Sequence, residues 1–153
     1  MATYFFDSSA LTKYYIDETG STWVETLIDA QPTNEILIAE ITGAEIVAAI
    51  TRRSRIGHIS APDAAIVISL FKNHFRFKFN SLVVRTNVIE AAMDLAETHG
   101  LRGFDSVQLA SALTANKTLI TRGHQALIFI SADAALNQAA ISEGLMVDNP
   151  NNH

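Results

Sequence analysis

The chain has no cysteine in its 153 residues, which excludes disulfides, thiolate metal sites and cysteine nucleophiles together. It has only 3 prolines, and no internal repeat, linker or low-complexity stretch breaks it. No apolar run approaches the roughly 20 residues needed to cross a bilayer. No basic leader precedes the first apolar residues, so a signal peptide is not expected and a cytoplasmic protein is. Positive charge is also scarce. The net charge of −5 argues against coating nucleic acid by bulk electrostatics. It does not exclude a nuclease, because metal ions can neutralise acids and engage phosphate locally. Nucleic-acid contact would then need a local basic patch.

What is present is a composition of 48% hydrophobic and 18% charged residues, typical of one compact domain with a real core. Strand patterns fall at residues 3–6, 35–39 and 81–85, with a closing strand at 145–147. Two stretches, 118–121 and 126–130, compete for a further strand, and the second is preferred because it runs into Ser131-Ala132-Asp133 and a helix. Helical patterns lie at 10–16, 21–30, 42–55, 60–77, 87–99, 104–116 and 134–143. Ser21 is expected to cap the second helix, and Thr42-Gly43-Ala44-Glu45 has the spacing of a capping box. Gly57, Gly100 and Gly144 are placed as helix ends. Strands alternating with helices predict a three-layer α/β/α sandwich with a mainly parallel central sheet. One domain is expected over 1–148, followed by a frayed tail at 149–153.

Four acids fall at informative places. Tyr4-Phe5-Phe6 stops at Asp7, just before a helix-competent stretch, and ligands in open α/β sheets collect at the carboxyl ends of strands. Glu45 lies in the first helical turn after the second strand, Asp105 opens the helix near Phe104, and Asp133 follows the late strand. Each acid alone is more readily accounted for by the preference of carboxylates for helix N-termini. Gathered at one sheet edge, however, they would repel one another unless a cation neutralised them. Oxygen donors without sulfur select Mg²⁺ or Mn²⁺ over zinc, a choice suited to phosphoryl chemistry.

The residues around these acids carry a resemblance. Tyr4-Phe5-Phe6-Asp7-Ser8-Ser9-Ala10-Leu11-Thr12-Lys13-Tyr14-Tyr15 resembles the opening of PIN-domain ribonucleases of the VapC toxin type. Glu45-Ile46-Val47-Ala48-Ala49-Ile50 with Arg52-Arg53 is similar to that family's second acidic motif, and the stretch from Leu101 through Asp105 to Leu113 to its third. Phe129-Ile130-Ser131-Ala132-Asp133 with Leu136-Asn137-Gln138-Ala139-Ala140 resembles the fourth, and Glu143-Gly144-Leu145 the usual close. The four motifs stand in order over nearly the whole chain.

The resemblance implies a PIN-like fold and a Mg²⁺- or Mn²⁺-dependent endoribonuclease. Such an enzyme hydrolyses RNA phosphodiester bonds with a metal-activated water. It also implies a homodimer held inactive by a cognate antitoxin protein. Asp7, Glu45 and Asp105 become the core catalytic, metal-binding acids, and Asp133 a fourth, outer or shared ligand. Ser9 would orient the site by hydrogen bonding, with Ser131 acting from the other side. Arg52, Arg53 and Ser131 are the candidate substrate contacts. Two departures stand out. Ser8 replaces a common threonine but keeps the hydroxyl. Leu119-Ile120-Thr121-Arg122-Gly123 imitates the strand-then-acid pattern with glycine in the acid's place, and were it the true equivalent the fourth acid would be missing.

Other features leave choices open. Arg52, Arg53 and Arg55 could meet phosphates or simply answer the helix dipole. Phe71, Phe75, Phe77 and Phe79, interleaved with Lys72, Arg76 and Lys78, could be a stacking surface or an antitoxin groove, but core packing is favoured. The histidines show no ligand spacing. A dehalogenase-type phosphatase would need an aspartate at the position of Ser9, and no glycine-rich dinucleotide fingerprint exists. The alternative from another class is a PIN-like module that binds protein or RNA without cleaving.

Overall fold

The computed structural model describes residues 2–153. Strands β1 (Ala2–Phe6), β2 (Asn34–Ala39), β3 (Asn80–Leu82), β4 (Ile128–Ile130) and β5 (Met146–Asp148) form one sheet. Their order is β3-β2-β1-β4-β5, and every pairing is parallel. Helices α1 (Ser8–Tyr15), α2 (Ser21–Ile28), α3 (Thr42–Arg55) and α4 (Ala61–Phe77) precede β3. Helices α5 (Thr86–His99), α6 (Gly103–Thr121) and α7 (Ala134–Ser142) follow it.

Successive residues of a strand face opposite ways, so each apolar strand feeds two cores. Phe5, Leu37, Ala39 and Phe129 pack with residues of α5, α6 and α7, including Val88, Leu95, Leu109 and Leu136. Phe6, Ile36, Ile38 and Ile130 pack on the other face with Leu11, Val24, Ile46, Ile50 and Phe71 from α1 to α4. This is the three-layer α/β/α sandwich that the alternation of strands and helices predicts. The connections leave β1 for β2 on one side and return to β4 on the other, so the strand order switches at the carboxyl ends of β1 and β4. A crevice opens at such a point. The Asp7 N–H donates to the Ile130 carbonyl at 3.1 Å, which carries the β1–β4 ladder up to its lip.

Several expectations are met closely and others are corrected. Ser60 caps α4 by accepting from the Asp63 N–H, with Pro62 in the first turn. The strand lies at Ile128–Ile130, within the preferred segment, whereas 118–121 forms the last turn of α6. That turn closes with His124 N–H on the Leu119 carbonyl at 2.9 Å, and Leu119 packs against the core. Gly123 therefore sits in a loop at φ 79° and not at the sheet edge.

Two helix starts differ from expectation. The N-cap of α2 is Gly20 at φ 86°, and the Ser21 hydroxyl instead accepts from the Glu18 N–H. The N-cap of α3 is Ile41 without a side-chain cap, because the polar groups of the capping-box pattern are used elsewhere. The segment expected to fray lies against the domain. A 3₁₀ turn forms at Pro150–Asn152, the His153 ring stacks on Trp23 at 4.0 Å between centroids, and His153 Nε2 lies 2.9 Å from Asp148 Oδ1. Gly20 makes this packing possible, since a Cβ there would collide with the Pro150 carbonyl. Among the described residues no helix is long and apolar enough to cross a membrane.

Candidate functional site

Asp7 is the first residue past β1 and the N-cap of α1, in extended conformation. Its Oδ1 accepts from Ser9 Oγ at 2.7 Å and from the Ala10 N–H at 2.9 Å, and its Oδ2 accepts from Ser131 Oγ at 2.6 Å. The side chain is only 2% exposed. Burial pushes its pKa up to about 6 against the pull of these three hydrogen bonds, and the charge of Asp105 adds to the rise. Hydroxyls and an amide meet this carboxylate; among the described residues no cation does.

Glu45 sits in the first turn of α3, where its side chain is engaged from two other helices. Ser8 Oγ donates to Oε2 at 2.9 Å, and Gln108 Nε2 donates to Oε1 at 2.8 Å. The same amide nitrogen reaches Thr42 Oγ1 at 2.8 Å. The capping-box residues thus hold a tertiary junction and not their own helix end.

Asp105 lies in the opening turn of α6 and Asp133 is the N-cap of α7, accepting from the Leu136 N–H at 3.1 Å. Asp105 is half-buried, and burial together with the Asp133 charge raises its pKa while Arg102 opposes the rise. Arg102 stands between the two acids. Its Nε donates to Asp105 Oδ2 at 3.3 Å and its Nη2 lies 3.8 Å from Asp133 Oδ2, although its side chain is 85% exposed.

All four acids line one cleft of about 1060 Å³. Ser8, Ser9, Thr12, Arg52 and Arg102 share its polar part, and Ile89, Met93 and Phe104 line an apolar part. Hard carboxylate donors that keep unused lone pairs suit a divalent cation chemically. As placed, however, no three acidic or histidine side chains among the described residues stand close enough together to hold a metal ion. The donor set fits the group, but its gathering is incomplete while Arg102 lies between two of its members.

The other candidate residues divide. Ser9 joins both sides of the crevice, donating to Asp7 and accepting from the Ala132 N–H at 3.0 Å. Ser131 is fully buried, so its hydroxyl serves Asp7 and cannot reach a substrate as expected. Arg52 lines the cleft, whereas Arg53 is drawn away to Glu18 at 3.0 Å and is not among the lining residues. Phe71 and Phe79 are buried in the core, and only Phe77 is strongly exposed. Arg102 and Gln108 are site residues that the sequence patterns did not single out. Their signal was proximity to Asp105: Arg102 is the N-cap just before α6 and Gln108 lies three residues after Asp105 in the helix.

Comparisons with known proteins agree with this architecture. The family profile described as PIN domain matches residues 4–140. No curated protein matches. Among solved structures, FitAcB from Neisseria gonorrhoeae aligns with a TM-score of 0.66 at 16% identity, over 95% of this chain and 96% of that one. VapBC2 from Rickettsia felis, bound to a DNA fragment from its promoter, aligns at 0.63 and 12% identity over 96% and 98%. VapC20 from Mycobacterium tuberculosis, described as a sarcin-ricin loop cleaving toxin, aligns at 0.63 and 13% identity over 95% and 97%. At these identities the likeness is one of fold.

Proposed function

This chain belongs to the PIN domain family, and on that premise we propose that it is a divalent-metal-dependent endoribonuclease, the toxin of a toxin–antitoxin pair. The observation that carries the reading is the convergence on one cleft of Asp7, Glu45, Asp105 and Asp133, carboxylates that lie far apart in the chain. The toxin–antitoxin complexes among the structural neighbours support it, as does the description of one of them as a sarcin-ricin loop cleaving toxin. RNA as substrate, a cognate antitoxin, a homodimer and a cytoplasmic location belong to the same proposal.

Asp7, Glu45 and Asp105 would hold Mg²⁺ or Mn²⁺, with Asp133 completing the set. When bound, such an ion lowers the pKa of water and stabilises the charge that develops on a phosphodiester. The chain's own part is positioning. Ser9 and Ser131 fix both oxygens of Asp7, while Ser8 and Gln108 fix both oxygens of Glu45. Arg52, which lines the same cleft, would meet a phosphate.

Incubating purified protein with RNA and Mn²⁺ tests the reading. Loss of a partner behind a metal ligand costs roughly 10–100-fold, so Asp7→Asn, which alters a ligand itself, is expected to abolish cleavage in folded protein. Undiminished cleavage by that variant would refute the assignment. One observation favours the non-cleaving module instead, namely that no three acids are yet gathered. Calorimetric titration with Mn²⁺ separates the two readings, because a module without a site shows no saturable binding.

A further inference from the structure

The guanidinium of Arg102 occupies the gap that a cation would be expected to fill. Its Nε is 3.3 Å from Asp105 and its Nη2 is 3.8 Å from Asp133, so one side chain answers two carboxylates from different helices. Both contacts are long, and the side chain is 85% exposed, so nothing packs it in place. Exposed pairs of this kind are weak and readily exchanged. The neighbouring cations are engaged elsewhere or stand apart. Arg53 and Lys13 both pair with Glu18, and Arg52 makes no ion pair with either acid.

We propose that Arg102 is an exchangeable internal counter-ion, which neutralises Asp105 and Asp133 in the metal-free protein and must swing out before a divalent cation can use them. The proposal rests on the metal-binding reading of the cleft. It accounts for two facts together: the acids line one cleft, yet no three of them close around a common point. Free energy spent on the guanidinium contact is subtracted from the affinity for the ion.

Calorimetric titration of the metal-free protein with MnCl₂ tests this without reference to activity. Arg102→Gln is expected to bind Mn²⁺ about three- to fivefold more tightly than wild type at low ionic strength, the range set by a weak exposed pair. The gain should fade as salt screens the contact. Arg102→Lys keeps a charge at the same position and should stay near wild type. If wild type binds and Arg102→Gln binds equally or more weakly, Arg102 is not a competitor and the inference is overturned alone. If wild type, Arg102→Gln and Asp105→Asn all lack saturable binding, the metal reading falls and takes the inference with it.

Discussion

Asp7 is kept in an environment that penalises its charged form, and the cost has a definite sign. Its pKa stands near 6 in the folded protein, where burial outweighs its hydrogen bonds, against the usual carboxylate value in the unfolded chain. The folded state therefore binds the proton more tightly. Stability contributed by the protonated form is fully present below about pH 4 and is lost as pH rises through 6. Asp7→Asn removes the charge while keeping an acceptor for Ala10 and Ser9, and its amide can donate to Ser131. A pKa rise of this size corresponds to about 3 kcal/mol at most, so the variant is expected to be more stable than wild type by about 1–3 kcal/mol at pH 7.5. Urea denaturation across pH 4 to 8 checks this. The advantage should shrink toward pH 4, and a constant difference would mean that Asp7 is not strained by its burial. A side chain that destabilises the metal-free fold is consistent with one kept for what it binds.

Between elements, Gln108 is the tie that aligns α6 with α3. One amide nitrogen serves both Thr42 Oγ1 and Glu45 Oε1, each at 2.8 Å. Gln108→Ala would leave both acceptors without this donor in a nearly buried junction, where Gln108 is 1% exposed. A buried polar group left unsatisfied costs roughly 1–3 kcal/mol, so thermal denaturation should show a loss of that size. Mn²⁺ affinity should fall as well, because Glu45 loses one of its two fixed contacts. The capping-box spacing in α3 is where local pattern misled. Thr42 and Glu45 have the residue types of a cap, but their partners come from α1 and α6, and no window around residue 42 contains Ser8 or Gln108. Helix ends that use only neighbouring residues, such as Ser60 with Asp63 or Gly100 after His99, are legible in the sequence because their partners are local.

At the scale of the molecule, an acidic chain of net charge −5 gathers four of its acids at one crevice. Any cation that binds only the folded form stabilises it by mass action, about 2.7 kcal/mol at a hundredfold excess over Kd. For a domain of this size that corresponds to a rise in Tm of roughly 5–10 °C. Mn²⁺ should therefore raise the Tm of wild type, EDTA should reverse the rise, and Asp7→Asn should show little of it. Scanning calorimetry with and without metal decides this, and an unchanged wild-type Tm at millimolar Mn²⁺ would count against a site in the cleft.

The sequence by itself determined the alternation of strands and helices, the two-sided apolar strands and the placement of acids at helix starts. These follow from periodicity and capping, which act over a few residues. The run of 126–130 into Ser131-Ala132-Asp133 already favoured it as the strand, and β4 lies there at Ile128–Ile130; only the tertiary structure decided that residues 118–121 extend α6. It likewise brought Ser131 to Asp7 across 124 residues of chain, withdrew Arg53 to Glu18, and set Arg102 between Asp105 and Asp133. Hydrogen bonds and ion pairs between elements depend on how the layers pack, and composition and spacing along the chain do not carry that information.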